Sequence, residues 1–267
     1  MNQGIEHNES VRGHIRENYG KVAEHSSGCG SGGGCCTPGI PAHDSSQIST
    51  ALGYSADELG AVPQGANLGL GCGNPQAIAD LQTGEHVLDL GSGAGFDAFL
   101  AAKAVGLNGR VIGVDMTPEM ISKSRLHAAS GDFDNTDFRL GEIENLPVAD
   151  GSIDVIISNC VINLALDKER VFQESYRVLK SGGRLAISDI VATAVLPDEI
   201  KNDLNLISGC VAGASAVAEL EQAMQSAGFL DIQIRPKNES REFLQNWVPG
   251  SNVADYIVAA VIEARKA

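Results

Sequence analysis

Residues 87–115 constrain this chain more than any other stretch. Val87, Leu88, Asp89 and Leu90 have the length and apolar weight of a short buried strand. Glycines at 91, 93 and 95 follow at once, and residues 96–105, rich in Ala, Leu and Phe, predict a helix with one face to bury. A second apolar strand over residues 110–114 ends on Asp115. Strand, glycine turn, helix, strand and acid in that order make a nucleotide-binding βαβ unit. The glycines allow close backbone approach to a ligand and φ angles that a Cβ forbids. An acid about two dozen residues past the strand can accept both ribose hydroxyl protons.

The glycine spacing narrows the ligand. Phe96 stands where a dinucleotide fingerprint has its third glycine, which disfavours a pyrophosphate cradle. An adenosine compound without phosphates fits better, and S-adenosylmethionine, with its cationic sulfonium and amino group, suits the acidic neighbours. The plainer alternative, a turn that only joins strand to helix, leaves the acid in register unexplained.

The pattern continues as alternating strands and helices. Residues 118–129 predict a helix, with Thr117 as cap and Pro118 in its first position. Strands are predicted over 138–140, 153–158 and 184–190, and a helix over 168–179 closed by residues 180–183. Further on, 196–227 reads as helical, with Gly228 stopping its last part, and 229–235 and 256–262 read as the final strands. Short connections between alternating elements predict an α/β fold: a Rossmann-like, doubly wound, mostly parallel seven-stranded sheet. Ligands of such sheets bind beyond the carboxyl ends of the strands. The glycine turn, Asp115, the turn at Glu142, Ile143 and Glu144, and the Asn159-Cys160 step all fall there. Ile143 can lie against an adenine face, with an acid or backbone group at the exocyclic amine.

Ahead of the first strand, Val11, Ile15, Tyr19 and Val22 repeat at helical spacing over residues 9–24. Residues 26–37 carry too much glycine for a helix or strand interior and read as a mobile tether bearing Cys29, Cys35 and Cys36. Ser55 and Glu58 form a capping box, and residues 65–75 make a second glycine-rich loop holding Cys72, leading into a short helix near 75–81. Three parts result: 1–75, a helix and cysteine-glycine segment; 76–195, the cofactor-binding core; 196–267, a substrate-binding region with the last strands.

The formal net charge of −15 over 267 residues argues against nucleic-acid binding, which needs a basic face, and against an anionic membrane surface. No apolar run of about 18 residues exists, so no transmembrane helix is expected, and the polar first ten residues lack the apolar core of a secretory signal. A cytoplasmic setting keeps thiols reduced. Six cysteines there point to metal, metalloid or redox chemistry rather than a disulfide framework. Their spacing, with no C-x-x-C pair, does not support a tetrahedral zinc site. Cys160 and Cys210, taken singly, read equally well as small buried hydrophobes.

The motif over residues 87–97 resembles that of S-adenosylmethionine-dependent methyltransferases. Three further stretches, 69–75 around Cys72, 158–164 around Cys160 and 209–214 around Cys210, are similar to the arsenite methyltransferases of the prokaryotic type. The resemblance implies that Cys160, Cys210 and Cys72 hold trivalent arsenic, As(III), as substrate, with Cys35 or Cys36 as the N-terminal family cysteine. It implies a disulfide of Cys72 with Cys35 or Cys36 that returns arsenic to the trivalent state, with thioredoxin or glutathione restoring the thiols. In the cofactor site it implies that Asp115 binds the ribose and Met116 packs on adenine. Asp89, Gly91, Ser92 and Gly93 would line the methionine end, Glu142, Ile143 and Glu144 would border the adenine, and Asn159 would meet the methionyl group. Two other functions fit parts of the pattern: methyl transfer to another small-molecule nucleophile, and non-catalytic metalloid binding by a thiol-rich protein.

Overall fold

Alternation of apolar side chains along the strands decides how the layers form. In the computed structural model, Val87, Val111, Val155 and Ile157 face one side of a sheet and Leu88, Ile112 and Ile156 the other, all buried. The first side packs against the helix Phe96–Val105 through Ala98, Phe99, Ala101, Ala102 and Val105. The second packs against the helix Lys168–Val178 through Val171, Phe172 and Val178, and against the helix Val217–Ala227 through Leu220, Ala223 and Met224. Strands buried on both faces and covered by helices make a doubly wound sheet. Phe99 is fully buried, with ring centroids 4.5 Å from Phe133 and 5.4 Å from Phe138; truncating such a ring to Ala costs about 3–5 kcal/mol. The structure describes residues 2–24, 45–201, 203–245, 247 and 252–267.

The strands are β1 (His86–Leu90), β2 (Arg110–Asp115), β3 (Thr136–Leu140), β4 (Ile153–Asn159), β5 (Leu179–Ala192), β6 (Ser215–Ala216), β7 (Leu230–Lys237) and β8 (Ile257–Arg265). Seven run in the order β3-β2-β1-β4-β5-β8-β7, and the two-residue β6 pairs with β5 beside that path. β1 to β5 pair parallel with one another, whereas β8 is antiparallel to both β5 and β7, so the sheet has a mixed edge. Strand order reverses between β1 and β4. That switch point opens a crevice past their carboxyl ends, where Gly91 leaves β1 and Cys160 follows β4.

Several local expectations shift. β5 begins at Leu179, so residues 180–183 lie in the strand instead of closing the preceding helix; Gly182, at φ +79°, lets pairing continue across a register shift. The helical stretch expected over 196–227 is interrupted, while its last helix, expected over 219–227, is present. Short helices Asp198–Lys201 and Leu204–Ser208 precede a turn through Cys210, at φ +63°, and the helix proper starts only at Val217. A left-handed residue ends helical winding. The helix Val217–Ala227 does stop on Gly228, in the left-handed region. The N-terminal helix spans Asn2–Glu24, with Val11, Ile15 and Val22 buried as their spacing predicts. Thr117 occupies the N-cap position without a side-chain cap bond; its backbone N–H donates instead to Asp115 Oδ1 at 2.8 Å. The capping box at Ser55 and Glu58 is present. The expected tether over 26–37, with Cys29, Cys35 and Cys36, lies outside the described residues.

Candidate active site

One cleft of about 220 Å³ lies over the switch point. Its cofactor side is built by the first βαβ unit. Gly91 and Ser92 both donate their N–H to Val114 O, at 2.7 and 3.0 Å, which folds the glycine turn back over β2. Gly93 N–H donates to Asp115 Oδ2 at 3.0 Å. Gly91 has φ +67°, and a Cβ there would stand 2.3 Å from Val161, the residue after Cys160. The turn therefore needs glycine on both conformational and spatial grounds.

Of the residues assigned to the cofactor, Asp89, Gly91, Ser92, Gly93, Asp115, Met116, Ile143, Glu144 and Asn159 line the cleft. Glu142 is turned toward the N-terminal helix, where it pairs with Arg16 and Arg12. Glu144 pairs with Arg12 at 3.3 Å.

Two buried polar atoms in the cleft wall, Asp89 Oδ2 and Ser92 Oγ, have no hydrogen-bond partner among the described residues. Buried polar groups are nearly always satisfied, so both call for a ligand. Burial pushes the Asp89 carboxyl well above the usual carboxylate range, and the charges of Asp97 and Asp115 push it further. Burial likewise raises Asp115, against backbone N–H donors that lower it. The charged side chains around the cleft are Asp89, Asp97, Asp115, Glu144 and Arg12. A wall so rich in carboxylates fits a cationic adenosyl sulfonium and repels a pyrophosphate.

Asp97 and Tyr54 were given no role from the sequence, yet they join the two sides of the site. Tyr54 Oη donates to Asp97 Oδ1 at 2.7 Å. Asn159 Nδ2 donates to Asp97 Oδ2 at 3.2 Å and to Gly73 O at 2.8 Å, while Asn159 Oδ1 accepts from Cys72 N at 3.0 Å. Asn159 thus ties the Cys72 loop to the end of β4. Gly71 makes this approach workable, since a Cβ there would lie 2.7 Å from Asn159 Nδ2. Burial pushes Asp97 up to about 6, although Tyr54 and Asn159 donate to it and pull it down. Its place directly after Phe96 in the glycine motif was the available signal.

The cysteine side is assembled from three loops. Cys160 follows β4 at φ +59° and Cys210 sits at φ +63°. Left-handed backbone costs a non-glycine residue roughly 1 kcal/mol and persists where surrounding structure enforces it, commonly at functional sites. Cys210 donates its thiol proton to Cys160 O, at 2.8 Å. Cys72 and Cys160 are joined as a disulfide, with Cα atoms 5.8 Å apart. This differs from the pairing of Cys72 with Cys35 or Cys36, which lie outside the described residues; the Asn159 tie holds Cys72 beside the end of β4, next to Cys160. Burial drives the Cys210 thiol well above its ordinary range, helped by the charge of Asp189. Buried Asp189, on β5, accepts from Ile162 N, Asn163 Nδ2 and Ile190 N at 2.9, 2.9 and 2.7 Å. It pins the turn after Cys160, and burial raises it to about 6. Phe243 and Trp247 complete the wall near the cysteines. Trp247 is the one tryptophan of the chain, and nothing in its surrounding sequence marks it as a cleft residue.

Comparison with known proteins accords with this geometry. A methyltransferase-domain family matches residues 81–228. The chain is 52% identical over 266 residues to an arsenite methyltransferase of Halobacterium salinarum, covering 97% of this chain and 67% of that protein. The chain belongs to the arsenite methyltransferases. It is 38% identical over 227 residues to the arsenite methyltransferase of Aquipseudomonas alcaligenes, covering 82% of this chain and 62% of that protein. The chain thus spans about two thirds of the length of these relatives. Among solved structures, an arsenic(III) S-adenosylmethionine methyltransferase from Chlamydomonas reinhardtii superposes with TM-score 0.63 at 33% identity, covering 82% of this chain and 73% of that one. No helix among the described residues is long and apolar enough to cross a membrane.

Proposed function

We propose that this member of the family transfers a methyl group from S-adenosylmethionine to trivalent arsenic held by Cys72, Cys160 and Cys210. The carrying observation is the convergence of three cysteines, from three separate loops, in one buried cluster, with Cys160 and Cys210 lining an acid-walled cleft whose Asp89 Oδ2 and Ser92 Oγ lack partners among the described residues. Asp89, Ser92 and the glycine turn would hold the methionyl end, and Asp115 the ribose, with Met116 and Ile143 against the adenine. When bound, S-adenosylmethionine supplies an electrophilic methyl carbon on a cationic sulfonium, open to the lone pair of a sulfur-held arsenic. The protein's share is proximity and orientation.

Neutral thiols suit the loading step. Each cysteine S–H that replaces an arsenic hydroxyl forms an S–As bond, and its proton leaves with the hydroxide as water. A buried Cys210 thiol therefore loads without first becoming a thiolate. Sulfur is the soft donor a protein can offer to a soft centre. No general base is needed for the methyl-accepting step, because trivalent arsenic carries a lone pair and no proton.

Methyl transfer raises arsenic to the pentavalent state, and two thiols returning it to the trivalent state give up two electrons and become a disulfide. Cys72 is common to both candidate pairs, with Cys35 or Cys36 on one hand and Cys160 on the other. A reductant of the thioredoxin or glutathione type then restores the thiols, which places the reaction in a reducing compartment such as the cytoplasm. In this reading residues 76–195 form the cofactor core, while 1–75 and 196–267 supply the outlying cysteines.

The test is arsenite-dependent conversion of S-adenosylmethionine to S-adenosylhomocysteine, with thioredoxin or glutathione present, for the wild type and Cys160→Ser. Turnover that requires arsenite and vanishes in the variant is expected. Turnover independent of arsenite would point to another methyl acceptor, and arsenite binding without turnover would reduce the protein to a metalloid binder.

A further inference from the structure

At the carboxyl ends of β4 and β5, three donor atoms from three separate elements meet. The sulfurs of Cys72 and Cys160 and a carboxylate oxygen of Asp189 all lie within 4.8 Å of one another, and all three residues are buried. Cys210 is not part of this group; its thiol is directed at the Cys160 carbonyl. Each of the three residues is held in place. Cys72 is tied through its N–H to Asn159, Cys160 by its bond to Ser188 O and its left-handed turn, and Asp189 by three N–H donors. Asp189 forms no ion pair among the described residues, and the three N–H bonds leave lone pairs on its two oxygens.

We infer that, with the thiols reduced, Cys72, Cys160 and Asp189 form a binding site for a thiophilic divalent cation of the zinc and cadmium class. Two sulfurs and one carboxylate oxygen are a mixed donor set that such cations accept in tetrahedral geometry, with a fourth position open. Arsenic in the trithiolate arrangement proposed above uses Cys210 in place of the carboxylate. The two sites share Cys72 and Cys160 and differ in the third donor. Binding is an exchange without redox change: the cation takes two thiolate sulfurs and two protons pass to water. An occupied site excludes arsenite and also blocks the Cys72–Cys160 disulfide. The cation is therefore both a competitor and a guard for the thiols.

The test uses the full chain carrying Cys29→Ser, Cys35→Ser and Cys36→Ser, so that the N-terminal thiols do not contribute. The protein is reduced with a phosphine, desalted without air and titrated with Cd2+, read by thiolate-to-cadmium absorbance and equilibrium dialysis. One cadmium per chain is expected, displaced by arsenite in a competitive manner. Cys160→Ser abolishes it, Cys210→Ser leaves cadmium affinity within about twofold while arsenite affinity collapses, and Asp189→Asn weakens cadmium by at least about tenfold. Loss of cadmium in Cys210→Ser, or unchanged affinity in a folded Asp189→Asn, overturns the assignment. If Asp189→Asn does not fold, the Cys210→Ser comparison decides alone. No methyl donor is present, so failure here leaves the methyl-transfer reading standing.

Discussion

The two sides of the cleft are built in opposite ways. The cofactor side comes from one continuous stretch, β1 to just past β2, in which Gly91 and Ser92 bond to the Val114 carbonyl and the Asp115 carboxylate accepts from Gly93 and Thr117 N–H. The cysteine side comes from loops around residues 72, 160 and 210, and depends on contacts between distant parts: Asn159 to Cys72, Asp189 to Ile162 and Asn163, Cys210 to Cys160 O. A ligand site that one supersecondary unit folds by itself tolerates change elsewhere in the molecule. A site held by long-range contacts fails when any of its ties fails. Besides the hydrogen bond from Asn159 to Asp97, the two constructions touch at Val161, which follows Cys160 and packs on Gly91.

That contact gives the largest expected effect. Gly91→Ala forces a left-handed alanine, at roughly 1 kcal/mol, and drives a methyl group into Val161, an overpacking of about 1–3 kcal/mol. Together these correspond to roughly a hundredfold in affinity. Both ligands are expected to weaken, S-adenosylmethionine by calorimetry and arsenite by Trp247 fluorescence, because the displaced Val161 takes Cys160 with it. Loss of the cofactor alone would mean that the two sides are mechanically separate. Gly213→Ala probes the cysteine side by itself. A Cβ at Gly213 would lie 2.0 Å from Asn163 O, between the two loops that carry Cys160 and Cys210, and Lys168 Nζ holds Gly213 O from the other side at 2.7 Å. Arsenite affinity should fall by about tenfold to a hundredfold, on an overpacking cost of about 1–3 kcal/mol, with S-adenosylmethionine within about twofold.

The same contrast explains what the sequence discloses. The helix Phe96–Val105 matches its predicted bounds, and β1, β2 and the glycine turn fall where the pattern puts them, because each is set by neighbours a few residues away. The three clustered cysteines are identifiable through family resemblance, but not how they meet. The broken helix around Cys210 was hidden because the backbone there is bent by packing against the Cys160 loop, which no local pattern records. Tyr54, Asp97 and Asp189 are not legible for the same reason: each acts through a partner remote in the chain, Asp97 through Tyr54 and Asn159, Asp189 through Ile162 and Asn163. The antiparallel direction of β8 follows from how the chain returns to the sheet edge, which apolar content alone does not encode.

Acid separates the two sides in a further way. Asp97 titrates at about 6 in the ligand-free cleft. A bound cation favours the ionised carboxylate and lowers that pKa, so cofactor affinity is constant above it and falls as pH drops below it. Linkage of one proton gives about a tenfold weaker dissociation constant at pH 5 than at pH 7. Calorimetric titrations at the two pH values should show this, and Asp97→Asn should flatten the profile. The same raised pKa acts on folding with the opposite sense of benefit. Between the unfolded carboxyl value and about 6 the native state binds more protons, so the stability contribution of Asp97 declines as pH rises through that window. A pH-independent affinity in the wild type would remove Asp97 from the cofactor side.

The smallest expected effect tests whether the N-terminal helix belongs to either side. Arg16 pairs with Glu142, both about one-third exposed, and Arg12 reaches Glu144 from the same helix. Tyr19 Oη, on that helix too, donates to Ser208 O at 3.1 Å, close to the Cys210 turn. The helix thus touches the adenine end through its arginines and the cysteine end through Tyr19. Partly exposed ion pairs contribute about 0–1 kcal/mol, and in a chain of this size that moves the melting temperature by at most about 4 °C. Arg16→Ala is therefore expected to lower the melting temperature by one or two degrees, less in high salt as screening removes the pair's advantage, with both ligand affinities unchanged. A cofactor affinity that drops with Arg16→Ala while arsenite binding holds would make the helix part of the adenine wall. A drop in both would make it the brace between the two constructions, a role that Tyr19 and Arg12 together have the geometry to fill.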